Sequence, residues 1–404
     1  MFTRKLAIAA LMVSALALPG IAQAKDIVIG FTASETGRLN ADSIPQLRGL
    51  ELWRNQVNAA GGIKVGGQRD KVRFVQYDDQ SNANRVQQLY TRLITNDKAD
   101  FLISPYSSGL TATAAIVSEQ YGKIMITTGA AEGKTYTLGN RYLFQMYTPA
   151  DHYLASSLDA VKKRDPGARI ALIYSNDGFS TAAARGAKRY ADKIGLKVVL
   201  DEAYDPATSD FSPILDKVVS SGATVLIGGG HFADGSTLAR QIHEQNLKLK
   251  MVSLLVAPDS PKFADLGNAA YGVLVPSQWE PSAVYKPDFG PTGKQFTKAY
   301  EKAYGEIPGY HAAGGYASGL VLQRAIEQAG SLSADKVVAV LNKMNTTIFY
   351  GHVKFATAPA EHGLQVGHAM MLAQWQKNKS GKLTKEVVWP RVAQTKPLIF
   401  AANR

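Results

Sequence analysis

The chain has 404 residues, with 45 Lys and Arg against 33 Asp and Glu for a formal charge of +12, and it contains no cysteine. The missing cysteine excludes a disulfide framework, a thiolate metal site, a cysteine nucleophile and a lipidated cysteine anchor. The length allows two domains of ordinary size. The densest basic run, Lys162-Lys163-Arg164, lacks interleaved aromatics and reads as a solvated helix end, not a nucleic-acid surface.

In chain order, Arg4 and Lys5 form a basic start, Leu6 to Leu18 is an apolar run, and Ala22-Gln23-Ala24 is an A-x-A signal. This is the pattern of a secretory signal peptide, with cleavage expected after Ala24. The apolar run is too short to span a bilayer. The mature protein is therefore expected free in an exported compartment, without membrane insertion.

From there a short apolar strand alternates with an amphipathic helix. Ile27–Phe31 reads as a strand, and a helix is predicted from about Pro45 to Ala60, stopped by Gly61-Gly62. Val72–Tyr77 is a strand, and the following helix carries Val86, Leu89, Tyr90, Leu93 and Ile94 on one stripe. Strands follow at Phe101–Ile103 and Ile124–Thr127, with a helix between. A second block repeats the plan, with strands at Ile170–Tyr174, Val198–Ala203, Val225–Gly228 and Lys250–Leu255. Helices centred on Ala187, Leu215 and Ala239 lie between them. This alternation implies two α/β lobes, each a doubly wound parallel sheet with helices on both faces, and the change of lobe falls near Phe144–Tyr147. Beyond a strand at Gly272–Pro276 come helices at Gly293–Tyr304 and His311–Ala329 and a short helix after Ser333. Strand-like pieces at His352–Phe355 and Ala369–Trp375 precede a polar, hairpin-like tail from Lys377 to Lys385.

Catalytic patterns are scarce. There is no H-E-x-x-H and no G-x-S-x-G. His362 and His368 sit in an apparent loop, so no metal site is expected there. Asp78-Asp79 opens DDQSNANRV, which reads as a strand end and a helix cap more readily than as a carboxylate dyad. Gly228, Gly230 and Ala233 fit the spacing of a dinucleotide-binding turn. The next strand, however, ends without the acidic residue that would hold a ribose, so no nucleotide or other cofactor is expected.

Several ordered features resemble the leucine/isoleucine/valine-binding proteins, the type I solute-binding components of ABC transporters. They are Val57–Ile63 (VNAAGGI), Tyr77–Asp79, Ser107-Ser108, Thr127–Ala131 (TTGAA), Asn176–Ser180 (NDGFS), Gly228–Gly235 (GGGHFADG) and Tyr271–Trp279. The resemblance spans the mature chain. It implies two lobes joined by three crossovers, a cleft between them that closes by a hinge, and a closed form that docks on an inner-membrane ABC permease. It implies a periplasmic protein, expected as a monomer, that is not an enzyme. The lobes implied are residues 25–144 with 277–351 and residues 145–276 with 352–404, after a signal peptide of residues 1–24.

In such proteins the first lobe holds a ligand carboxylate. The matching positions here are Ser107 or Ser108 and the backbone of Gly129, Ala130 and Ala131, with Tyr106 as a wall. Simple helix capping is the other reading of the serines. The second lobe departs from the family. Phe179 and His231 stand where tyrosines are usual, and Leu255 falls where the acid that pairs a ligand ammonium is usual. Asp259 is the acid that would serve if that loop were shifted. A buried ammonium without a carboxylate is costly. The expected ligand is therefore a small carboxylate with an apolar or aromatic body, of benzoate or phenylpropenoate type. A branched-chain or other hydrophobic amino acid is the alternative. Phe179, Tyr106, Trp279, Tyr310 and Leu255 are candidates for the stacking surface, and His231 or His311 for a polar tip. His311 could equally be a core residue, and Arg38 is either a second carboxylate partner or a surface residue. A sensory binding protein and an exported enzyme on the same fold are the remaining classes.

Overall fold

The alternating pattern resolves into two separate sheets. The computed structural model describes residues 26–400, so the expected signal peptide and its cleavage point lie outside the described residues.

The first sheet takes β1 (Ile27–Ala33), β4 (Val72–Asp78), β5 (Phe101–Ile103), β6 (Met125–Thr127) and β7 (Leu143–Gln145). Between β1 and β4 come α1 (Asn40–Ala59) and a small hairpin, β2 (Ile63–Val65) and β3 (Gln68–Asp70). The helices α2 (Ala83–Thr95) and α3 (Ser108–Gln120) follow β4 and β5. The strand order is β4-β1-β5-β6-β7, all parallel. Every residue of β1 is buried, which is why IVIGFTA shows no polar alternation: helices cover both faces.

The second sheet begins after α4 (Ala155–Arg164). It runs through β8 (Arg169–Ser175), α5 (Gly178–Ile194), β9 (Lys197–Tyr204), α6 (Ser212–Ser220), β10 (Val225–Gly229), α7 (Phe232–Glu244), β11 (Met251–Leu254) and β12 (Leu274–Ser277). The chain then returns to the first lobe as α8 (Gly293–Tyr304), α9 (Tyr310–Ala329) and α10 (Ala334–Leu341). A hairpin of β13 (Asn345–Ile348) and β14 (Gly351–Lys354) leads back to β15 (Met371–Lys377) and β16 (Leu383–Trp389). These last two add antiparallel to the edge, giving the order β16-β15-β12-β11-β10-β8-β9. The chain thus crosses between lobes after β7, after β12 and after β14.

The close seating of α9 on α1 comes from glycines. A Cβ at Gly49 would fall 1.9 Å from the Ala312 carbonyl oxygen, and one at Gly319 would fall 2.3 Å from the Trp53 ring. Two predicted details change. α1 begins at Asn40, not Pro45, because Asp42 and Ser43 both donate to the Leu39 carbonyl and start the helix one turn earlier. Asp79 is not the helix cap. It is buried and accepts from the hydroxyls of Thr32 (2.7 Å) and Ser34 (2.6 Å), while Asn82 caps α2.

In each sheet the chain reverses its direction of travel beside the strand next to one edge, β1 in the first sheet and β8 in the second. Loops beyond the carboxyl ends of β1 and β5 in one sheet, and β8 and β10 in the other, therefore flank a crevice.

Candidate ligand cleft

Those loops meet. After β5, Ser107 adopts φ +82° and ψ 147°, a strained backbone for a residue other than glycine. Its hydroxyl caps α3 by accepting from Leu110 N at 3.3 Å, and its N–H donates to the Gly129 carbonyl at 3.0 Å. Ser108 Oγ accepts from the backbone N–H groups of Ala131 and Glu132, each at 3.1 Å. The β5 and β6 loops are thus sewn together. Gly129 sits at φ +69°, where an added Cβ would lie 2.5 Å from Gln46 Oε1 and 2.7 Å from the Tyr106 ring, so only glycine fits.

On the facing lobe, β10 ends in three glycines. Gly228 has φ +136°, and a Cβ there would fall 2.0 Å from the Ile173 carbonyl oxygen of β8. This is the physical use of the glycine-rich turn: it lets β10 press against β8 and swing His231 into the cleft. The loop is pinned by Asp234, which accepts from His231 N at 2.9 Å and from the Tyr204 hydroxyl at 2.6 Å. Phe179 enters from α5, capped by Asp177, which accepts from Ser180 N.

Tyr106, Gly129, Ala131, Tyr310 and His311 from the first lobe surround a cavity with Phe179, His231 and Val256 from the second. Tyr147 and Tyr153, from the first crossover, complete its wall. The rings form a continuous belt. Centroid separations are 4.3 Å for Tyr310–His311, 5.2 Å for His311–Tyr106 and 5.6 Å for Tyr106–His231. The belt continues at 5.8 Å for His231–Phe179 and 5.1 Å for Phe179–Tyr153. The space left is about 10 Å³, room for one water. A ring-sized ligand therefore enters only when the lobes part.

Charge near the cavity is tied down. Asp259 accepts from Tyr310 N at 3.1 Å and pairs with Lys385 Nζ at 2.7 Å. Burial would raise its carboxyl, but Lys385 and His311 outweigh burial and hold it below the ordinary carboxylate range. Burial pushes the Tyr106, Tyr147 and Tyr310 hydroxyls far above their ordinary value, so they stay protonated donors. Asp42, in the first turn of α1, accepts from Phe232 N at 3.2 Å. Burial raises its carboxyl against the opposing pull of His311, His231 and the Phe232 N–H.

The expected residues do not all converge. Arg38 is exposed on the loop after β1, away from the cavity wall. Leu255 is buried in the core, and its neighbour Val256, where the backbone turns helical beyond β11 (φ −99°, ψ −43°), lines the cavity. Trp279 is fully buried against Phe296 and Phe349, with its indole N–H on the Phe349 carbonyl. Ser107, Ser108 and Ala130 are buried just outside the wall, and the Ala130 carbonyl accepts from Gln145. Tyr147, Tyr153 and Val256 were not singled out from sequence. For the tyrosines the readable signal was their place at the change of lobe. Among the described residues no His/Asp/Glu cluster is arranged to hold a metal, and no helix is long and apolar enough to cross a membrane.

The family model for periplasmic binding proteins matches residues 26–382. An amino acid binding protein of Pseudomonas aeruginosa is 28% identical over 56% of this chain and 60% of its own length. A Leu/Ile/Val-binding protein homolog of Brucella melitensis is 24% identical over 92% of this chain and 94% of its own. Among solved structures, a leucine binding protein from Thermotoga maritima superposes with a TM-score of 0.77 at 19% identity, over 90% of this chain and 99% of that one. A solute binding protein from R. palustris in complex with 4-hydroxybenzoate gives 0.75 at 21%, over 93% and 98%.

Proposed function

Because this chain belongs to the periplasmic binding protein family, whose members bind small ligands for ABC transporters and are not enzymes, we propose that it captures a small aromatic carboxylate. Capture is by closure of the two lobes, and the loaded form delivers the ligand to an inner-membrane permease. The observation that carries this reading is the belt of aromatic rings around a cavity whose nearby carboxylates are already engaged. The belt suits a flat apolar body, and Asp259, spent on Lys385 and the Tyr310 amide, is poorly placed to serve an ammonium. The carboxylate end is assigned to the Gly129 amide at the cavity wall, backed by Ser107 Oγ and the Ala130 amide just outside it. Ala131 N and Ser108 Oγ drop out of that set because they bind each other. His231 and His311 are left to face polar substituents. The likeness to the R. palustris protein, whose ligand is 4-hydroxybenzoate, supports the same class.

A hydrophobic amino acid is the second reading. What favours it is Asp177, whose Oδ2 lies 3.9 Å from His231 Nε2 and could turn toward an ammonium. Thermal-shift titration separates the two, since a ligand raises stability by RT ln(1 + [L]/Kd). Benzoate and 4-hydroxybenzoate are expected to stabilise the protein. Stabilisation by leucine or valine with no response to aromatic acids overturns the first reading.

A further inference from the structure

Helices α7 and α9 point their first turns at the cleft from opposite lobes, and in each the N–H of the first helical residue finds no acceptor in its own lobe. The residue before α9 is Gly309, which has no side chain to cap with, and before α7 the His231 N–H is taken by Asp234 of the same helix, leaving Phe232 N to be satisfied elsewhere. Four helices, α2, α3, α5 and α8, are capped locally by Asn82, Ser107, Asp177 and Thr292, and α1, α4, α6 and α10 begin with no side-chain cap; α7 and α9 differ from both groups in taking an acceptor from the other lobe. Those acceptors come from across the cleft. Asp42 of the first lobe accepts the N–H of Phe232, the first residue of α7 in the second lobe. Asp259 of the second lobe accepts the N–H of Tyr310, the first residue of α9 in the first lobe. Both carboxylates are buried, and neither lines the cavity.

We infer that Asp42 and Asp259 are a reciprocal latch: each lobe caps a helix of the other, so closure completes two helix termini at once. A helix N-terminus left without an oxygen acceptor loses stability, and a charged acceptor strengthens the bond. When the lobes part, both caps are lost together. The two aspartates are thus positioning residues for capture, setting how far the closed form is favoured without touching the ligand. Asp259 is held on target by Lys385, at 2.7 Å from its other oxygen. Asp42 is flanked by His231, His311 and Asp234. The inference rests on closure being the capture step of the proposed function.

Amide hydrogen exchange on the mature chain, with no ligand added, tests it. In the wild type the amides of Phe232 and Tyr310 are expected to be protected. Asp42→Ala should speed exchange at both by on the order of tenfold, because a lost charge-assisted bond unlatches the whole cleft. Asp42→Asn should leave both amides protected, since its side-chain oxygen still accepts from Phe232, and loss of protection there would overturn the cap as the source of the latch. Faster exchange at Phe232 alone in Asp42→Ala marks a local cap and overturns the latch, as do unprotected amides in the wild type. A spin-label pair introduced by Gln87→Cys and Ser220→Cys, clean in a chain without cysteine, provides a second readout. The label separation should lengthen in Asp42→Ala, and an unchanged distribution overturns the latch. Because neither measurement uses a ligand, a failure of aromatic acids to bind would sink the ligand assignment and leave this result standing.

Discussion

The hydroxyl of Tyr106 lies 3.0 Å from Nδ1 of His231, joining the two lobes directly over the cavity. The two rings also meet edge to face, so one residue pair supplies both wall and bolt. Tyr106→Phe keeps the ring and removes the bolt. A typical buried hydrogen bond contributes about 1 kcal/mol. Titration calorimetry with benzoate should therefore show affinity weaker by roughly fivefold. An unchanged Kd would mean the bond is absent from the loaded form.

Ser107 combines a cap with a backbone angle of φ +82°. The two can be separated by substitution. Ser107→Ala keeps the strain and loses the cap, and should lower stability by about 1–2 kcal/mol. Ser107→Gly loses the same side chain but relaxes the backbone, and should cost only a few tenths of a kcal/mol. Denaturant unfolding of the two variants checks the order. If glycine is as damaging as alanine, backbone strain is not part of the account.

His368 is partly exposed by surface area, yet both its ring nitrogens are engaged, with Thr148 Oγ1 at 2.9 Å and the Tyr350 carbonyl at 3.1 Å. Burial against the stacked Tyr350 ring lowers its pKa from 6.5 to about 4. Between those values the unfolded chain binds a proton that the fold refuses. Stability is therefore full above pH 6.5, falls as the pH drops, and levels off below about pH 4. Allowing for the partial exposure, the loss is about 2 kcal/mol. The slope of melting temperature against pH should flatten in His368→Gln, and a profile identical to wild type rules out this histidine as its source.

Lys385, itself only slightly exposed, reaches the buried carboxylates of Asp259 at 2.7 Å and Glu280 at 3.0 Å. Burial, reinforced by Asp259, raises the Glu280 carboxyl despite Lys385. Lys385→Met strips both acids of their cation and should destabilise the fold by about 3–5 kcal/mol. Glu280→Gln leaves the Asp259–Lys385 pair whole and should be far milder. Thermal melts of equal size for the two variants would contradict this division of roles.

Much of the fold was legible because its causes are local. Val86, Leu89, Tyr90, Leu93 and Ile94 recur at helical spacing whatever they pack against, and β1 is apolar throughout because both its faces are covered. Tyr106, Phe179 and His231 were also legible, since each stands just beyond a strand end where such folds place their clefts. Leu255 shows the limit. A shift of one residue separates it from Val256, and that is enough to exchange core for cavity.

The sequence by itself determined the order of strands and helices, the two doubly wound sheets and the absence of a recognisable catalytic pattern, through periodicity and residue type within short windows. Only the tertiary structure decided which loop residues meet. Asp42 and Phe232 are 190 positions apart, Asp259 and Tyr310 are 51 apart, and no local pattern in either segment names its partner. The one trace left in the chain is partial: α9 follows Gly309, which has no side chain to cap with, and in α7 the local acid, Asp234, is spent on the His231 N–H. Buried N–H groups must be satisfied somewhere, and here the second lobe supplies what the first cannot, and the first what the second lacks.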